Sequence, residues 1–159
     1  MNAEGTPDHE WLMQLVGRWE TESHCDQQAE GAPESFVGHE VFRALGDVWV
    51  VGEQDWGMSD SVRVLSMLTI GFDTAKGKYV GSWAGSPMTN LVVYEGTRED
   101  DVLTLNTESA DLSDPTRTAQ YQDIIEILGP NDRVFRSQML QPDGSWKEFM
   151  RTTCRRIES

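Results

Sequence analysis

Ten runs of strand-forming residues follow one another along this chain with little but turn residues between them, and that succession restricts the fold more than any single motif. They span 18–25, 35–45, 47–57, 61–73, 78–84, 90–98, 101–108, 118–128, 133–140 and 146–157. Dividers such as Gly46-Asp47, Lys76-Gly77, Glu99-Asp100-Asp101, Pro130-Asn131-Asp132 and Pro142-Asp143-Gly144 turn the chain tightly, through the positive φ of Gly, the fixed φ of Pro or Asx hydrogen bonds. Short links favour antiparallel pairing in chain order, and an open sheet of that size leaves two bare edges that closure removes. The spacing therefore predicts an all-β, ten-stranded antiparallel up-and-down barrel occupying residues 1–159 as one domain. Such a barrel is wider than the eight-stranded ones that side chains fill, so its interior has room for a ligand or solvent.

Only one segment reads as a helix. After a flexible lead-in of residues 1–6, Thr6 caps, Pro7 suits the first helical position, and Asp8 and Glu10 put negative charge at the positive end of the helix dipole. Trp11, Leu12, Leu15 and Val16 then share one face, and Gly17 stops the helix, which is predicted over Pro7–Val16 and closes one end of the barrel. Strand parity points Trp19, Thr21, Ser23 and Cys25 inward in the first run, and Trp146, Glu148, Met150, Thr152 and Cys154 inward in the last. The third run carries large apolar residues on both parities. The nearly continuous apolar stretch from Val64 to Phe72 implies burial on both faces, so the outside of the barrel needs a cover there, and a second copy of the chain is the economical one.

Charge narrows the partners. Acidic residues outnumber basic ones 27 to 13, a net charge of −14 that repels nucleic-acid phosphates and anionic membrane surfaces. The polar, acidic start has neither a signal peptide's apolar core nor a membrane span, which predicts a cytoplasmic protein. Cys25 and Cys154 read as reduced thiols without metal-binding spacing, and His9, His24 and His39 as structural or surface residues, so neither metal nor cofactor is expected. No nucleophile elbow, phosphate-binding loop, dinucleotide fingerprint or zinc-protease helix occurs, and no catalytic residue is assigned. Six Trp and seven Met in so small a barrel instead suggest an apolar, adaptable pocket. Its candidate ligand-binding residues are Trp49, Glu53, Met67, Trp83, Met88, Tyr94, Tyr121 and Glu148, with Asp123 as a further polar handle. A binder of a small hydrophobic molecule fits these features best. A homo-oligomeric interaction module with an inert interior is the alternative, and an isomerase or hydrolase using buried carboxylates such as Glu53 or Glu148 is a third.

The segments "HEWLMQLVGRWE", "LGDVWVVGE", "IGFDTAKGKYVGSW", "MTNLVVYEGT" and "DGSWKEFMRT" resemble, in order and over nearly the whole chain, a bacterial family catalogued as domain of unknown function 1579. That family is grouped with the calycins, the superfamily of lipocalins and fatty-acid-binding proteins, whose Gly-x-Trp after an N-terminal helical turn is matched by Gly17 and Trp19. The resemblance implies a calycin-like barrel and no established activity. Related ten-stranded haem barrels carry a proximal His on a late strand, and this chain has no His after His39.

Overall fold

The computed structural model describes residues 1–25, 35–57, 61 and 63–159. Helix α1 (Pro7–Leu12) begins with proline, and the Thr6 N–H donates to His9 Nδ1 at 2.9 Å. His9 Nε2 therefore bears the ring proton and donates it to the Phe72 carbonyl at 2.9 Å, tying the helix to the sheet. A 3₁₀ turn, Met13–Leu15, follows, and Val16 is already extended. The single helix predicted over Pro7–Val16 is thus two shorter pieces, because side chains take over its last carbonyls. Trp19 Nε1 donates to the Leu15 carbonyl at 2.8 Å, and Arg156 donates to the carbonyls of Gln14 and Val16. Among the described residues no helix is long and apolar enough to cross a membrane.

Ten strands follow: β1 (Gly17–Cys25), β2 (Ser35–Leu45), β3 (Trp49–Gly57), β4 (Arg63–Asp73), β5 (Lys78–Gly85), β6 (Val92–Glu99), β7 (Val102–Ala110), β8 (Thr118–Gly129), β9 (Asp132–Leu140) and β10 (Trp146–Glu158). Each pairs antiparallel with its neighbours in the chain, and β10 returns to β1 with Thr21 opposite Cys154, closing the barrel. The ten predicted runs are these ten strands. Part of the predicted 61–73 run lies outside the described residues.

The inward parity predicted for β1 holds, with Trp19, Thr21 and Ser23 buried, while Cys25 is half-buried. In β3 the inward set is Val50, Gln54 and Trp56, and in β4 it is Ser66, Leu68 and Ile70. On the other parity of β4, Leu65 and Met67 are 50% and 44% accessible, so the predicted burial of β4 on two faces does not occur within one chain, while β3 exposes Trp49 and Glu53 on its other parity and buries Val51. In β10 a bulge between Glu148 and Met150 breaks the alternation. Thr152 and Cys154 stay buried as predicted, but Glu148 and Trp146, predicted inward, fall outside the barrel. Gly38 faces Trp56 across β2 and β3, and a Cβ there would run into the indole ring and the Asp55 carbonyl, so only glycine lets the ring lie against the strand.

The helix end of the barrel is packed solid by Trp11, Leu12, Leu15, Trp19, Phe42 and their neighbours. Within that core Arg133 and Glu40 form an ion pair, each side chain about 1% accessible, and the guanidinium lies 4.5 Å from the Trp19 ring centre and 5.2 Å from that of Phe42. Arg156 lies 4.3 Å from the Trp19 ring as well as capping the 3₁₀ turn. Gly17, at φ +136°, adopts a conformation that a side chain resists, and a Cβ there would strike Arg156 and the Glu158 carbonyl.

Candidate ligand cavity

The strand ends away from α1 are not filled. A cavity of about 490 Å³ opens there, walled by Trp56 from β3, Trp83 from β5, Tyr94 from β6, Thr107 from β7, Tyr121 and Asp123 from β8, Phe135 and Ser137 from β9, and Phe149 and Met150 from β10. The segment after β7, with Leu112 and Pro115, and Met88 before β6 form its rim. Inward parity on successive strands supplies the aromatic lining, and the β10 bulge adds Phe149 and Met150 side by side. Phe149 meets Tyr121 edge to face at 6.0 Å.

Polar groups in this wall are few and mostly fixed. Tyr121 donates its hydroxyl proton to the Ala110 carbonyl at 2.6 Å and accepts the Leu112 N–H at 3.0 Å, anchoring the segment after β7. Trp83 Nε1 donates to Gln54 Oε1 at 3.3 Å, while Gln54 Nε2 donates to Glu40 at 3.0 Å. A chain of hydrogen bonds thus runs from the Arg133–Glu40 pair at the packed end to the cavity wall. Asp123 accepts from the Tyr94 hydroxyl on one oxygen and from Ser137 Oγ at 2.6 Å on the other. Asp123 is part of the cavity lining. Enclosure by the barrel pushes the Asp123 carboxyl above the ordinary carboxylate range, against the pull of the two hydroxyl donors. Burial also raises the Tyr94 phenol, and the adjacent Asp123 adds to the shift, so the phenol keeps its proton and remains a donor. Trp56 Nε1 is buried with no hydrogen-bond partner among the described residues. Among the described residues no three His, Cys, Asp or Glu side chains converge as a metal would need.

Of the residues picked from the sequence, Trp83, Met88, Tyr94, Tyr121 and Asp123 come together around this cavity. Trp49, Glu53, Met67 and Glu148 do not. Trp49 starts β3 with the outward parity and lies over Gly71 of β4. Glu53, on that same parity, reaches toward Arg43 at 4.0 Å, and with Met67 it borders a shallow depression on the outer wall. Glu148 pairs with Arg151 at 3.3 Å outside the barrel, a consequence of the bulge. Glu53 and Glu148 are therefore not the interior carboxylates that an acid–base mechanism was expected to use. Trp56, Phe135, Ser137 and Phe149 were not picked. The inward parity of β9 begins with Arg133, a charge that reads as an outer residue and hides Phe135 and Ser137 behind it.

Fold and cavity define a ten-stranded antiparallel barrel with one packed end and one end opening into an aromatic chamber. Over residues 4–156 the chain matches the family described as protein of unknown function, DUF1579, and it belongs to that family. It matches no curated protein. Among solved structures it is similar to Rv2717c from M. tuberculosis, with 13% identity and a TM-score of 0.62 over 96% of this chain and 99% of that one. A second similar structure is the S-type phycobiliprotein lyase CPES from Guillardia theta, with 14% identity and a TM-score of 0.60 over 94% and 92% of the respective chains. A third is EF1p2_mFAP2b bound to DFHBI, with 10% identity and a TM-score of 0.51 over 94% and 98%. At these identities the likeness shows a shared barrel fold.

Proposed function

We propose that the protein binds a small, largely apolar molecule in the chamber at its open end. The observation that carries this reading is the chamber itself: about 490 Å³ of space bounded by six aromatic side chains, Trp56, Trp83, Tyr94, Tyr121, Phe135 and Phe149, with a few polar groups among them. A barrel of similar fold, EF1p2_mFAP2b, was solved with DFHBI bound, which supports a ligand role for such an architecture. The test uses the neutral dye N-phenyl-1-naphthylamine. Saturable one-to-one binding with enhanced dye fluorescence is expected, and Thr107→Trp, which fills the chamber from β7, weakens it at least about tenfold while far-UV circular dichroism stays unchanged. Dye binding that ignores this substitution rejects the chamber as the site.

The outer wall favours a second, compatible reading. Val37 on β2, Leu65 and Met67 on β4 and Val93 on β6 have 61%, 50%, 44% and 63% of their surface accessible, and a second copy of the chain seated on β4 would cover Leu65 and Met67. Sedimentation velocity at micromolar concentration should show a dimer, and a monomer throughout would reject it.

A further inference from the structure

The lining of the chamber is one-sided in charge. Asp123 sits in its wall and Asp111 at its mouth, and among the described residues that bound it there is no Lys, Arg or His. Arg133, which also points into the barrel, is already committed to Glu40 at the packed end. Asp123 is held by two hydroxyl donors, Tyr94 and Ser137, which orient the carboxyl and bring no positive charge to it. Six aromatic rings line the same chamber; ring faces attract a cation within about 6 Å of their centres, and two of the six are tryptophans, the strongest at this. A net charge of −14 draws cations toward the molecule and holds anions off. A carboxylate-bearing ligand would set a second acidic group beside Asp123, with no cation in the described lining to balance either.

We propose that the ligand of this chamber is an aromatic or apolar amine, bound as its ammonium ion with Asp123 as counter-ion and the surrounding rings as a cation-binding cage. The proposal rests on the chamber being the binding site and names the chemical class it takes. An ammonium gives Asp123 the opposite charge that its surroundings lack, and the rings shield both charges from water. Neutral molecules of the same shape fill the space without that gain, and anionic ones are rejected.

Three naphthalene derivatives of matched size test it: 2-naphthylmethylammonium, 2-naphthylmethanol and 2-naphthoate, titrated by calorimetry at neutral pH into the full chain. The ammonium should bind at least about tenfold more tightly than the alcohol, and the naphthoate at least about tenfold more weakly. Asp123→Asn should abolish the gap between ammonium and alcohol, with a cooperative thermal melt confirming that the variant is folded. An alcohol that binds as well as the ammonium overturns the amine proposal while leaving the chamber as the site. An ammonium preference that survives Asp123→Asn overturns the role given to Asp123. If all three compounds and the neutral dye fail to bind, the chamber is not a ligand site and both proposals fall.

Discussion

Each end of the barrel keeps a carboxyl inside its strands, and the two are treated in opposite ways. At the helix end Glu40 is buried, paired with Arg133, and takes a further hydrogen bond from Gln54, while the Arg133 guanidinium lies against the rings of Trp19 and Phe42. At the open end Asp123 receives only hydroxyl hydrogen bonds and is part of the cavity lining. Both positions arise from the same alternation of inward side chains. The difference lies in what surrounds them: a charge partner and full packing complete the first site, whereas the second is complete only as a wall. A buried pair is worth little over apolar residues of the same shape, but a buried charge that loses its partner is costly. The packed end is therefore the part of the molecule most sensitive to single substitutions, and the open end the part most tolerant of them.

The largest expected effect follows from separating the pair. Arg133→Ala strands Glu40 in the core and should cost about 3–5 kcal/mol in urea denaturation, while Glu40→Leu with Arg133→Leu recovers most of that loss because no charge is left unpaired. Phe149→Ala, at the cavity wall and only half-buried, should cost about 1 kcal/mol, since the space it vacates already opens onto a cavity. Equal losses in Arg133→Ala and Phe149→Ala would break the contrast between the ends.

The two ends were also unequally legible in the sequence. The fold could be read because turn chemistry and strand spacing are local properties: Lys76-Gly77 or Pro142-Asp143-Gly144 bend the chain wherever they occur, and ten strands so linked must close. The packed end followed from Gly17 and Trp19 and from the clean parity of β1. Half of the predicted binding residues proved to line the chamber, because Trp83, Met88, Tyr94 and Tyr121 lie on segments whose inward direction is undisturbed. Trp49, Glu53 and Met67 sit on β3 and β4, where apolar residues occupy both faces and parity loses its meaning. Glu148 was misplaced by a one-residue bulge that no residue type announces. Arg133 shows the same limit from the other side, since its burial depends on Glu40, ninety-three residues away in the chain and on a different strand. Hydrophobic pattern reports which face a residue prefers; it does not report a distant partner that makes a charge acceptable inside.

The smallest expected effect sharpens the comparison at the open end. Asp123 has its carboxyl raised above an ordinary value of 3.8 by burial, so between 3.8 and that raised value the folded chain holds a proton which the unfolded chain has released. Folding stability therefore falls as pH rises through this window, and the whole loss is in place above it. Asp123→Asn cannot titrate and does not share the loss. Whatever fixed change the amide makes to the contacts with Tyr94 and Ser137, the stability of the variant relative to the parent should be higher at about pH 7 than at about pH 3, by a few degrees in Tm, and level above the window. Glu40→Gln should show no such gain at neutral pH, because it leaves the Arg133 guanidinium buried without its counter-charge. An Asp123→Asn offset that is the same at both pH values would mean that the carboxyl titrates alike in the folded and unfolded chains, and the contrast between a completed charge at one end and an uncompleted one at the other would be lost. If the offset appears, and 2-naphthylmethylammonium then raises the Tm of the parent more than that of Asp123→Asn, the charge that the barrel leaves open is the one its ligand supplies.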